Sequence, residues 1–246
     1  MPGHDSIVDT LYPGAQFIHD LNDFRDRNHH GLHDPHEQAR ILRTSGGSVE
    51  DEMREAAAFV QAIQRPWCKT VIVESNHDSA FARWLKNTDG AADPLNAEYW
   101  HRYNSRWHQA IRTGASHYNV VEDAFRHAGG NDNVAFVPSG GSYVVLGVEH
   151  GLHGDRGVGA SRGTPQQFRR LGPKVTSAHT HTPMIVDGVY KGGVSASLDQ
   201  GHNIGPTTWA DAQVILYDNG KRCLLTMTAD GRWRAGMRDV EYRLAA

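Results

Sequence analysis

A chain of 246 residues with 39% hydrophobic content can bury a substantial core and is expected to form one large domain over 1–246. Its formal net charge of -3 excludes a strongly basic nucleic-acid coat but leaves room for a local basic groove beside a cationic centre. Two cysteines, Cys68 and Cys223, are too few for a disulfide framework, and no apolar run or basic leader suggests a membrane span or secretion, so a cytoplasmic protein is expected.

In chain order, a helix over Ile7 to Leu11 leads into a strand-like stretch ending near Ile18, followed by a polar loop through His36. Of 16 histidines, five (His19, His29, His30, His33 and His36) fall within eighteen positions. Val49 to Gln64 carries apolar residues at helical spacing with Ser48 as N-cap, and Pro66 closes it. Lys69 to Glu74 reads as a buried strand, Ser79 to Lys86 as a short helix, and Pro94 to Arg112 as a longer helix capped by Asp93. On the last, Trp100, Tyr103 and Trp107 share a face that reads as core.

From Asn133 the texture becomes β, with strands expected at Val134 to Val137, Tyr143 to Glu149, Lys174 to Ala178, Met184 to Val186, Gln213 to Tyr217, Cys223 to Thr228 and Arg232 to Arg234. Asp218-Asn219-Gly220-Lys221 predicts a hairpin turn. Helices and strands alternate in the first half, which is the pattern of a layered α/β domain.

Four segments rich in metal-ligand residues follow apolar, β-branched runs: His19-Asp20-Leu21-Asn22-Asp23, Ser75-Asn76-His77-Asp78, His150-Gly151-Leu152-His153 and His179-Thr180-His181. Ligands placed where strands run out into loops would converge at one sheet edge. Carboxylates, an amide and imidazoles together suit borderline divalent ions. Asp20 and Asp23 can divide labour between metal binding and orientation of a histidine. Asn76 ends an apolar run, where an amide needs polar partners that a metal can supply. In an extended backbone His77 points the other way, toward substrate, and His179 and His181 point the same way. His150 directly ends its strand, and His153 stays open as the alternative ligand.

These blocks resemble the calcineurin-like metallophosphoesterase superfamily, whose pattern runs Asp-x-His, Gly-Asp-x-x-Asp, Gly-Asn-His-Asp/Glu, a lone His and Gly-His-x-His. Four of the five blocks stand in order between Ile18 and Pro183, with His19, Ser75 and Ala178 where the pattern has glycine. The resemblance implies a layered α-β-β-α sandwich and two divalent ions, Mn first, with Fe, Zn or Mg as alternatives. It implies Asp20 as bridging ligand, Asn76, His150 and His179 on one ion, His181 on the other, and His77 as catalytic histidine steadied by Asp23. The reaction implied is attack of a metal-activated hydroxide on phosphorus. Asp-x-His is missing before Asp20, which implies either that the chain is the carboxy-terminal part of a longer protein and lacks the family's first core strand, or that one metal site is degraded; the first is the expectation, because the Ile7 to Leu11 helix leading into a strand reads as the middle of a βαβ unit.

The stretch from His19 to Phe24 with Arg27-Asn28-His29-His30 is similar to a branch in large tailed phages related to early host-DNA-degrading proteins, and more remotely to the SbcD nucleases. This implies a DNA phosphodiesterase in the host cytoplasm, with Asn28, His29 and His30 lining the substrate cleft. The glycine-rich stretch Gly154 to Gly163, with Arg156 and Arg162, reads as a mobile basic loop beside the site. A protein or nucleotide phosphomonoesterase and a catalytically impaired scaffold are the alternatives.

Overall fold

The computed structural model describes residues 6–27, 31–198, 205–228 and 231–233. Contacts divide the chain into two compact units, one of 12–141 and one of 142–246 with 1–11. The chain is a mixed α/β protein.

The unit of 12–141 is built on a parallel three-stranded sheet in the order β1 (Ala15–His19), β2 (Lys69–Val73), β3 (Ala135–Val137). His19 pairs with Val73, and Val73 with Val137, so the three strands end together. Parallel neighbours require helical crossovers. The first contains α2 (Pro35–Thr44) and α3 (Val49–Ile63), and the second contains α4 (Ser79–Asn87), α5 (Ala97–Arg112) and α6 (Val120–His127). Val49, Met53, Ala57 and Val60 on α3 join Ile72, Phe81, Leu85, Tyr103 and Phe125 in one buried cluster.

Local capping chemistry sets these helices. Ser48 Oγ accepts the Asp51 N–H, as its position before Val49 predicts. Asp34 caps α2 with Pro35 in the first turn, so part of the expected polar loop is helical. Asn119 caps α6, its side-chain oxygen accepting the N–H groups of Val121 and Glu122. The α5 helix begins at Ala97, not Pro94. Asp93 does not cap it, because its carboxylate is held by Arg27 Nε and Nη2 at 2.5 and 3.0 Å and by Asn96 Nδ2 at 2.9 Å.

In the other unit, α1 (Ile7–Leu11) precedes a five-stranded sheet in the order β4 (Val144–Val145), β5 (Val148–Glu149), β6 (Lys174–Ser177), β8 (Val189–Lys191), β7 (Met184–Val186). β5, β6 and β8 run parallel, and the two edges are antiparallel. The single strand expected over Tyr143 to Glu149 is instead a tight hairpin. Leu146 and Gly147 both have positive φ, 50° and 73°, as a two-residue primed turn requires. α7 (Pro165–Arg169) sends Phe168 into a small core with Val175 and Val189.

The hairpin expected around Asp218 to Lys221 is present, joining β9 (Ala212–Leu216) to β10 (Arg222–Thr226). Arg222 ties it to the sheet by donating to Val175 O at 2.6 Å and Gly188 O at 2.5 Å, with its guanidinium 4.1 Å from the Tyr190 ring centre. Arg234, in the last expected strand, lies outside the described residues. No helix among the described residues is long and apolar enough to cross a membrane.

Candidate functional site

Each of the four motif segments begins at a strand end: His19 closes β1, Ser75 lies two residues beyond β2, His150 follows β5, and His179 lies two residues beyond β6. Within each unit, the paired parallel strands deliver their two segments to the same sheet edge.

In the unit of 12–141, Asp20 leaves β1 with φ 52° and Phe24 has φ 52°, values that non-glycine residues adopt at a cost. Packing and hydrogen bonds hold the intervening loop. Phe24 is fully buried against Phe81 and Trp84, and its N–H donates to Asn22 Oδ1 at 2.9 Å. The buried Asp78 carboxylate accepts from Asn22 N at 2.8 Å and Ser75 N at 2.9 Å. Ser75 Oγ accepts from the N–H groups of His77 and Asp78 at 3.1 and 3.0 Å, and Arg83 Nη2 donates to Asn76 O at 3.0 Å. Ser75, read from sequence only as a small replacement for glycine, closes the turn that carries His77.

This scaffold brings His77 Nδ1 to 2.6 Å from Asp23 Oδ1, across 54 residues. The hydrogen bond to Asp23 raises the imidazole pKa, as do the charges of Asp20 and Asp78. Burial pushes the Asp78 carboxyl up to about 7, and the nearby Asp20 charge adds to the rise. Asp20 and Asn76 lie in the loops of adjacent strands.

In the other unit, His150 and His153 are both buried. Burial, and then the charge of Arg222, lower the His150 pKa to about 4, which keeps its imidazole neutral, the form that binds metals. Glu149 Oε1 accepts from Tyr143 N and Gly151 N at 2.8 and 2.6 Å, fixing the strand end. A Cβ on Gly151 would stand 2.6 Å from Tyr143 N, so this close approach requires glycine.

His153 O accepts the Ala178 N–H at 2.8 Å, and the His153 and His179 ring centres are 5.2 Å apart, inclined by 76°. The His-x-His segment is not extended: His179 and His181 have φ 73° and 57°, and Thr180 N donates to Ala178 O at 3.0 Å. The two rings therefore do not share a face by strand alternation. His181 packs on Trp209 with ring centres 4.3 Å apart, a neighbour that no sequence signal marked.

The glycine-rich stretch is pinned, with Gly163 N donating to Asp155 O and Gly157 N to Ser161 O. Gly154, at φ 121°, leaves no room for a Cβ against Ala178 O. Asn28, His29 and His30 lie outside the described residues.

Within neither unit do three or more described His, Cys, Asp or Glu side chains form a group that could hold a metal ion. The His153 and His179 rings stand at a spacing that two ligands of one ion have. Two imidazoles sharing a tetrahedral ion at about 2.0–2.1 Å have ring centres about 5 Å apart, close to the His153–His179 spacing.

No family model matches the chain, and no solved structure does. The chain is 39% identical over 222 residues to Protein A1 of Escherichia phage T5, a match that covers 89% of this chain and 40% of that protein. It thus spans about two fifths of the length of this phage relative.

Proposed function

We propose that this protein is a metal-dependent phosphoesterase of the layered α-β-β-α type that hydrolyses phosphodiester bonds in nucleic acid, in the cytoplasm of a phage-infected cell. The observation that carries the reading is the His77–Asp23 hydrogen bond, which joins residues from two separate motif blocks that the resemblance expects to be paired. The phage relative supports the setting.

Asp23 accepts from Nδ1 and favours the doubly protonated imidazolium, whose second N–H, at Nε2, points away from Asp23 and is the proton available for transfer. When the P–O bond breaks, the leaving oxygen takes the Nε2 proton. Asp78 and Ser75 hold the loop that presents His77. Asp20 and Asn76 in one unit, and His179, His181 and either His150 or His153 in the other, are the residues that would hold divalent ions, Mn first. The His153–His179 contact favours His153. Bound ions supply a water of near-neutral pKa and polarise the phosphoryl oxygen.

The test is conversion of supercoiled plasmid to nicked circles with Mn, against EDTA and against His77→Ala. Nicking that is Mn-dependent and lost in the variant is expected. Turnover of p-nitrophenyl phosphate without nicking would move the assignment to a phosphomonoesterase, and no turnover of either substrate to an inactive scaffold.

A further inference from the structure

A groove of about 220 Å³ in the unit of 12–141 opens beside Asp23 and is lined by none of the expected metal donors. One wall is a stripe of α3: Glu52, Glu55, Ala56 and Phe59, spaced as one helix face requires. The facing wall is the loop carrying Asp23 and Arg25. The groove therefore reaches the carboxylate that holds His77.

Two properties define what it can hold. The inward residues of α3 are buried in the core, whereas Phe59 is 54% exposed, so its ring has a face to offer. Two carboxylates, Asp23 and Glu55, stand against one guanidinium, Arg25, which is already bound to Glu55 at 2.9 Å, while the buried Glu52 is taken up by the N–H groups of Arg25 and Asp26. That balance repels a phosphate and suits a neutral aromatic group whose amino hydrogens can be donated to carboxylates. A nucleobase has this chemistry, and stacking on an aromatic ring is its usual mode of capture.

We propose that this groove is a nucleobase subsite, in which the base beside the scissile phosphate stacks on Phe59 with its amino edge toward Glu55. The proposal rests on the phosphodiesterase reading and deepens it.

The test compares Mn-dependent cleavage of single-stranded oligonucleotides in which the cleaved bond is flanked by ordinary or by abasic residues. Wild type should prefer base-flanked bonds in kcat/KM by about tenfold or more. Phe59→Ala should lose that preference, and Phe59→Trp should retain it. A preference unchanged in Phe59→Ala, or absent in wild type, overturns the subsite.

If wild type cleaves neither substrate, the phosphodiesterase reading fails separately. The groove is then judged in EDTA by fluorescence anisotropy with the same two labelled oligonucleotides. Tighter binding of the base-bearing strand that Phe59→Ala abolishes supports the subsite; equal binding of both strands by wild type overturns it. Because Phe59 is exposed, the variant should keep the wild-type unfolding midpoint.

Discussion

Asp78 Oδ1 accepts the backbone N–H of Asn22 at 2.8 Å, across 56 residues, and so ties the loop after β1 to the loop after β2. Its other oxygen accepts from Ser75 N at 2.9 Å. In Asp78→Asn, one of these buried N–H groups faces an NH2 donor and loses its acceptor. The expected loss of stability is about 1–3 kcal/mol, read as a lower urea midpoint for the full chain. A midpoint equal to wild type would remove Asp78 as the link between the loops.

The His77–Asp23 pair makes separable kinetic predictions. Removing the proton donor with His77→Ala should lower kcat for a DNA diester about 10²- to 10⁴-fold. Asp23→Asn leaves the ring in place but weakens its orientation, and should cost about 10- to 100-fold. Asp23 is 63% exposed, so the thermal midpoint should move little. Equal losses in the two variants would show that Asp23 does more than position the ring.

Much of this arrangement is legible in the residues. The apolar runs before Asp20, Ser75, His150 and His179 mark strands because β-branched residues favour the pleat, and the strands do end within two residues of each segment. Ser48 and the Asp218 to Lys221 turn are local signals, and both elements formed where these predict. What stayed hidden depends on tertiary partners or on backbone handedness. Asp93 has the residue type of a cap, but Arg27, 66 positions away, takes its carboxylate. Leu146-Gly147 sits inside an apolar run that conceals a turn. His tolerates the left-handed region better than most residues, so no alternation rule could place the rings of His179 and His181.

Glu52 should give the folded chain a measurable pH dependence. It is buried, and burial raises its carboxyl to about 7, against the lowering effect of the Arg25 N–H bond at 2.9 Å. Between its ordinary value of 4.5 and about 7, the folded chain keeps a proton that the unfolded chain releases. Stability contributed by this group therefore falls as pH rises through that window. Glu52→Gln cannot ionise, so the plot of urea-unfolding free energy against pH should be flatter between pH 5 and pH 7 than in wild type, by roughly 1 kcal/mol per pH unit. Parallel plots would place the pH dependence elsewhere.

Lys191 on β8 titrates in the opposite sense. Its side chain is fully buried over the Phe168 ring, with Nζ 3.4 Å from Gly163 O, a long bond for an ammonium taken out of water. Burial, and then the Arg162 charge, lower its pKa from 10.5 to about 8. Between those values the folded chain binds fewer protons than the unfolded chain, so the contribution of this group to stability rises with pH from about 8 toward 10.5. At pH 7 the charged form is buried at a cost. Lys191→Met, close in volume and apolar, should raise the thermal midpoint at pH 7 and gain less at pH 9.5, consistent with the roughly 1–4 kcal/mol seen when buried ionic groups are replaced by well-packed apolar ones. A lower midpoint at pH 7 would mean that the bond to Gly163, at the base of the glycine-rich stretch, outweighs the desolvation of the ammonium.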